Sequence, residues 1–228
     1  MAGSGIIIGN SDGIGLGLTK RLLAENWQVV GLSRSKSPVE HEHYRQLVVD
    51  VSGDHYQSEL RALLVPSPDL VVYCPGIGEA FDPAAMAVDT QTFEVNLMGA
   101  VKTIETVLPV LHANRRGHII VLSSLADVLI SHEAPAYAGS KAGLSTYVES
   151  VALAMKPHGV AITNVRFGFV DTKMAKGEKQ PMKMSVAKAV DHLMTCIRTR
   201  PVRYSRPRLM ATLVSIAGWL GRIKVRLS

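Results

Sequence analysis

Six short runs rich in Val, Ile and Leu alternate along this chain with longer stretches of helical periodicity, and no other feature limits the fold as strongly. Residues 5–9, 28–33, 46–51, 70–73, 117–122 and 160–166 read as strands, and 14–25, 55–64, 89–113, 137–156 and 185–198 as helices. The strand runs show little polar alternation, the composition of strands covered on both faces. Repeated β-α-β units then require a parallel sheet, right-handed crossovers and helices on both sides, an α/β doubly wound fold. In such a sheet a ligand belongs at the carboxyl ends of the strands.

The chain of 228 residues is long enough for one domain with its own core. Residues 1–200 are expected to form that domain and 201–228 a basic amphipathic tail. Hydrophobic residues at 47% against 19% charged exclude disorder as the main state. The two cysteines, Cys74 and Cys196, are too far apart in sequence for a zinc spacing and too few for a disulfide framework, so a reducing, cytoplasmic setting is expected. The pair His41 and His43 has no third ligand nearby in sequence, and no metal site is expected. Ile6-Ile7-Ile8 is too short for a signal-peptide core, and the stretch 209–221 is too short to cross a bilayer.

The formal charge of +6 is unevenly spread. Residues 198–228 hold eight Lys and Arg and no acidic residue, so the rest of the chain is slightly acidic. That distribution argues against a nucleic-acid surface and for a local basic segment.

The first strand runs into Gly9-Asn10-Ser11-Asp12-Gly13-Ile14-Gly15, and a helix follows at once. Glycines let the backbone turn sharply and approach a phosphate, while the helix start offers unpaired N–H groups and a positive dipole end. The spacing Gly9-x-x-x-Gly13-x-Gly15 resembles that of the short-chain dehydrogenase/reductase family, and the family's later landmarks follow in order: Asp50-Val51 after the third strand, Asn96, Ser123-Ser124 closing the fifth strand, and Tyr137-x-x-x-Lys141. The resemblance covers residues 5–200. It implies a Rossmann-like single domain and an oxidoreductase acting on a ketone or aldehyde and the matching alcohol.

By resemblance, the glycine turn with Ser11, Asp12 and Ile14 holds the pyrophosphate. Asp50 and Val51 meet the adenine, and Gly76, Gly168, Val170 and Thr172 border the nicotinamide and phosphate region. Tyr137 is the general acid, with its pKa lowered by Lys141, which also holds the nicotinamide ribose. Ser124 rather than Ser123 binds the substrate oxygen, and Asn96 keeps a water in a proton relay. A phenol with an ordinary pKa of about 10 is a poor base at neutral pH, which is why such chemistry needs a cation on the same helix face.

The second strand ends Leu32-Ser33-Arg34. An acidic side chain at Ser33 would bind a free ribose 2′-OH, whereas a small Ser followed by Arg suits a 2′-phosphate, so NADP(H) is favoured over NAD(H). Asp12 is the contrary sign. Tyr73-Cys74-Pro75-Gly76 and Phe167-Gly168 depart from the family pattern, removing side-chain amide bonds at the sheet centre and a turn-fixing proline. The departures leave open a nucleotide-binding sensor or scaffold with weak catalysis. The segment 173–186, with Met174, Met182 and Met184, corresponds to the family's substrate lid, and homodimers or homotetramers are expected through 89–113 and 137–156.

In the tail, Leu209, Leu213, Ile216, Leu220 and Ile223 recur at steps of four and three beside Trp219, with cations before and after. Such a helix lies in a membrane interface or docks on the core or a second subunit, and the sequence leaves both open. Basic, apolar tails of this kind are found in family members thought to handle lipid-like carbonyl compounds, which points to a hydrophobic substrate.

Overall fold

The computed structural model describes residues 3–175 and 180–227. Seven parallel strands form one sheet: β1 (Ser4–Ile8), β2 (Gln28–Ser33), β3 (Tyr44–Val48), β4 (Leu70–Tyr73), β5 (His118–Ser124), β6 (Ala161–Phe167) and β7 (Arg203–Arg206). Their order is β3-β2-β1-β4-β5-β6-β7, so the chain works outward from β1 in one direction and then returns to build the other half. The crevice at the carboxyl ends of β1 and β4, where that direction reverses, is where a ligand fits such a sheet.

The helices are α1 (Gly13–Ala24), α2 (Tyr56–Ala62), α3 (Ala87–Phe93), α4 (Gly99–Asn114), α5 (Pro135–Met155), α6 (Val186–Thr199) and α7 (Arg208–Leu227). Alternation along the strands divides the core: Ile6 and Ile8 pack into one cluster with side chains of α2, α4 and α5, while Ile7 faces the other with those of α1 and α6. Every residue of β4 and of β5 is buried, as continuous apolar runs in a doubly covered sheet require.

Most boundaries shift by one or two residues, and three differences from the sequence reading are larger. The third strand starts at Tyr44 and ends at Val48, because the pairing of Val29 with Tyr44 fixes the register; Asp50 and Val51 therefore lie in the turn beyond it. The expected helix 89–113 is broken by a π-helical turn, Glu94–Met98. The sheet also continues past residue 201: Arg203–Arg206 pair with Asn164–Phe167, so the tail begins as an edge strand rather than as an appendage.

The π turn is tied to a departure noted in the sequence. Tyr73 is fully buried, and its hydroxyl donates to the Val95 carbonyl at 2.6 Å. A π turn disturbs the regular helical pairing, and the tyrosine satisfies a carbonyl there. The sheet centre thus has a substitute for the amide bonds expected to be missing.

Candidate active site

One cleft of about 890 Å³ opens along the carboxyl edge of the sheet. The glycine turn forms one side of it. Gly9 and Gly13 have φ of +80° and +54°, and a Cβ on Gly15 would stand 2.1 Å from the Gly9 carbonyl oxygen, so only glycine lets α1 start this close to β1. Ser11, Asp12 and Ile14 line the same wall. The Asp12 carboxylate caps α1 by accepting from the Gly13 N–H at 2.7 Å and meets Lys173 Nζ at 2.9 Å. Lys173 and the Gly13 N–H both lower the Asp12 pKa.

Ser33, Arg34, Asp50 and Val51 close one end of the cleft. The Ser33 hydroxyl donates to the Ser35 carbonyl and accepts from Gln46, leaving the exposed Arg34 as the cation at that end. Asp50 is partly buried, which raises its pKa, but hydrogen bonds from the Ser52 hydroxyl and N–H outweigh that and lower it. Gly76, Gly168, Val170 and Thr172 line the opposite end. Thr172 leans over the glycine turn, its Cγ2 3.1 Å from where a Gly13 Cβ would lie.

Ser124, Tyr137 and Lys141 line the same cleft, with Lys141 Nζ 3.5 Å from where a Gly76 Cβ would lie. Tyr137 and Lys141 share one face of α5, with the ammonium 5.9 Å from the ring centroid. Ser124 presents its hydroxyl within reach of the phenol and accepts from the Ala126 N–H. Ser123 turns under α5 instead, 2.7 Å from Ser145 Oγ. That contrast follows from the period of two along β5.

Burial raises the Tyr137 phenol above its ordinary value, Ser124 opposes the shift, and the charge of Asp127 adds to it. Lys141 Nζ is buried and donates to the Leu122 carbonyl at 3.0 Å. Its own pKa falls to about 8 because burial disfavours the charged form. Burial likewise pushes the Cys74 thiol up to about 12, which suits a packing role over a reactive one.

Among the catalytic and cofactor-binding residues implied by the resemblance, Asn96 alone does not line the cleft; it is fully buried, accepts from the Ile77 N–H and donates to the Ile77 carbonyl, both at 2.8 Å, and to Ser140 Oγ at 3.0 Å. Its amide clamps the loop after β4. Phe167 closes β6 against Arg206 of β7, and the following Gly168 N–H donates to the Arg206 carbonyl. The lid segment expected at 173–186 lies partly outside the described residues; Met174 lines the cleft. Among the described residues no three His, Cys, Asp or Glu side chains are grouped to hold a metal.

Two features escaped the sequence reading. Leu129, Phe169, Met210 and Val214 give the cleft an apolar wall, the last two contributed by α7. Behind Ser124, the buried Arg166 and Asp127 form a bidentate pair at 2.5 Å. Asp127 also accepts from Ser145 at 2.6 Å, and so joins Ser123 and α5 to the turn that follows β5. An arginine closing a strand run rich in Val and Ile was the available signal, because a buried cation needs a partner.

The sequence model of the short chain dehydrogenase family matches residues 5–183. A very-long-chain 3-oxoacyl-CoA reductase of Podospora anserina is 27% identical over 210 residues, covering 80% of this chain and 62% of that protein. The chain spans 46% to 62% of the length of the curated relatives it matches first. Among solved structures, a short chain dehydrogenase from Burkholderia cenocepacia in complex with NADP superposes with a TM-score of 0.85 at 21% identity, covering 99% of this chain and 96% of that one. A 4-hydroxyisoleucine dehydrogenase complexed with NADH gives 0.79 at 17% identity, covering 89% and 96%.

Removing one member of the buried ion pair leaves the other charged and unpaired. Arg166→Met is expected to cost about 3–5 kcal/mol in urea unfolding, and Asp127→Leu combined with Arg166→Met to recover the larger part. Equal stability of the single variant and the parent would show that the pair does not hold the turn.

Proposed function

The chain belongs to the short chain dehydrogenase family, and on that premise we propose that it is an NADP(H)-dependent oxidoreductase that reduces an apolar ketone or aldehyde to its alcohol. The observation that carries this reading is the convergence of Ser124, Tyr137 and Lys141 in one cleft facing a glycine turn at a helix start. When bound, a nicotinamide dinucleotide supplies the hydride taken up by the carbonyl carbon. Ser124 donates a hydrogen bond to the carbonyl oxygen as negative charge develops there. Tyr137, a phenol that burial holds further in its protonated form, gives that oxygen its proton. Lys141, with a pKa of about 8, is largely charged at pH 7 and steadies the phenolate left behind. Asn96 acts by holding the loop that carries Gly76 and Ile77.

The residues suit the dinucleotide in shape and charge. The turn from Gly9 to Gly15 offers close backbone approach and the N-terminus of a 12-residue helix to a pyrophosphate. Asp50 and Val51 fit the adenine end, and Gly168, Val170 and Thr172 the nicotinamide end. Arg34 at the cleft end and the absence of a carboxylate at Ser33 support NADP(H), while Lys173 offsets the charge of Asp12. Structural neighbours carry either cofactor, so the preference rests on these side chains.

An apolar substrate is supported by the wall of Leu129, Phe169, Met174, Met210 and Val214, and the name of the Podospora relative agrees with a long apolar carbonyl compound. Two free thiols suit a reducing compartment such as the cytoplasm. Homo-oligomerisation through α4 and α5 belongs to the same reading, supported by the exposed Leu153 and Met98 on that side.

Tyr137→Phe is expected to lower kcat for ketone reduction by about 10²- to 10⁴-fold with NADPH affinity unchanged. NADPH bound tightly but left unoxidised across a broad panel of ketones would instead mark a nucleotide sensor. Steady-state kinetics with both cofactors test the second claim. Loss of a charge-assisted phosphate contact of about 1.5–3 kcal/mol in Arg34→Ala would raise the KM for NADPH about 10- to 100-fold and leave that for NADH unchanged. Equal use of the two cofactors by the parent would remove the preference.

A further inference from the structure

Helix α7 meets the rest of the chain along one narrow line. Met210 is buried, its sulfur so near Gly168 that a Cβ there would stand at 2.5 Å; a Cβ on Gly218 would stand 2.3 Å from the Val128 carbonyl oxygen. Val214, between them on the same face, reaches the cleft. Away from that line, Leu209, Leu213, Ile216, Leu220 and Leu227 recur at helical spacing, each at least half exposed, with Trp219 exposed beside them. A contiguous apolar face of this kind on a folded chain marks an interaction surface.

The charges on the same helix identify what that surface meets. Arg208 precedes the stripe and Arg222 and Arg226 lie in the last turns of the helix, and α7 contains no acidic residue. Two copies of the chain packed through this face would bring arginines together with no carboxylate on either helix to offset them. Anionic headgroups supply the missing negative charge, and an acyl layer takes the leucines and the indole. Among the described residues no helix is long and apolar enough to cross a membrane. We propose that α7 docks along an anionic lipid surface, with its apolar stripe between the headgroups and its arginines against them. The inner line of the same helix forms part of the cleft wall, so docking sets the cleft beside the apolar phase. That last consequence rests on the oxidoreductase reading, whereas docking itself does not.

Sedimentation of the full chain with vesicles tests the proposal without reference to turnover. The protein is expected to pellet with mixed phosphatidylcholine and phosphatidylglycerol vesicles, to stay in solution with phosphatidylcholine alone, and to be released as salt rises. The double variants Leu213→Glu with Leu220→Glu, and Arg222→Glu with Arg226→Glu, change exposed side chains and should melt as the parent does while losing at least about tenfold in partitioning. Parent protein that ignores anionic vesicles, or variants that partition as it does, would overturn the proposal. So would a parent dimer that ignores vesicles and falls to monomer in the leucine variant, since a second copy would then cover the face.

Discussion

A parallel sheet covered on both faces can offer polar groups to a ligand only where its strands end, and the architecture of this chain follows from that constraint. The four residues of β4 and seven of β5 are buried throughout, so backbone groups along them are spent on neighbouring strands. At the carboxyl edge the strands stop and side chains take over. There the Leu122 carbonyl holds Lys141, Ser124 turns toward Tyr137, and the glycine turn brings α1 to the end of β1. The same burial that supports the sheet sets the chemistry, since it lowers the Lys141 pKa and raises that of Tyr137.

Much of this could be read from local signals. Continuous apolar runs and glycine spacing are short-range features, and the period of two separates Ser124 from Ser123 without any coordinates. What escaped depends on partners distant in sequence. Arg203–Arg206 has no apolar alternation and becomes a strand only because β6 offers it an edge. The Asp127–Arg166 pair joins residues 39 positions apart. Asn96 and Tyr73 were assigned or doubted by pattern, and their hydrogen bonds to Ile77 and Val95 give them the work of holding a loop and a π turn.

Splitting the net charge of +6 acquires a structural meaning in three dimensions. Arg203 is held by Glu149 and Arg206 lies over the Tyr204 ring, so part of the basic segment belongs to the sheet edge. Arg198 and Arg200 close α6, and the other four cations lie on α7, which faces inward with Met210 and Val214 and outward with leucines and arginines. One helix therefore contributes both to the wall of the cleft and to the surface beside it.

The central claim is that the cleft brings a hydride donor and the Tyr137 proton to opposite ends of one carbonyl bond. Incubating the chain with NADPH deuterated at the transferable position of C4, together with a long-chain ketone, and weighing the product tests it directly. The account predicts an alcohol carrying one deuterium on the former carbonyl carbon. An alcohol without deuterium, or no alcohol while NADPH stays bound, would contradict it.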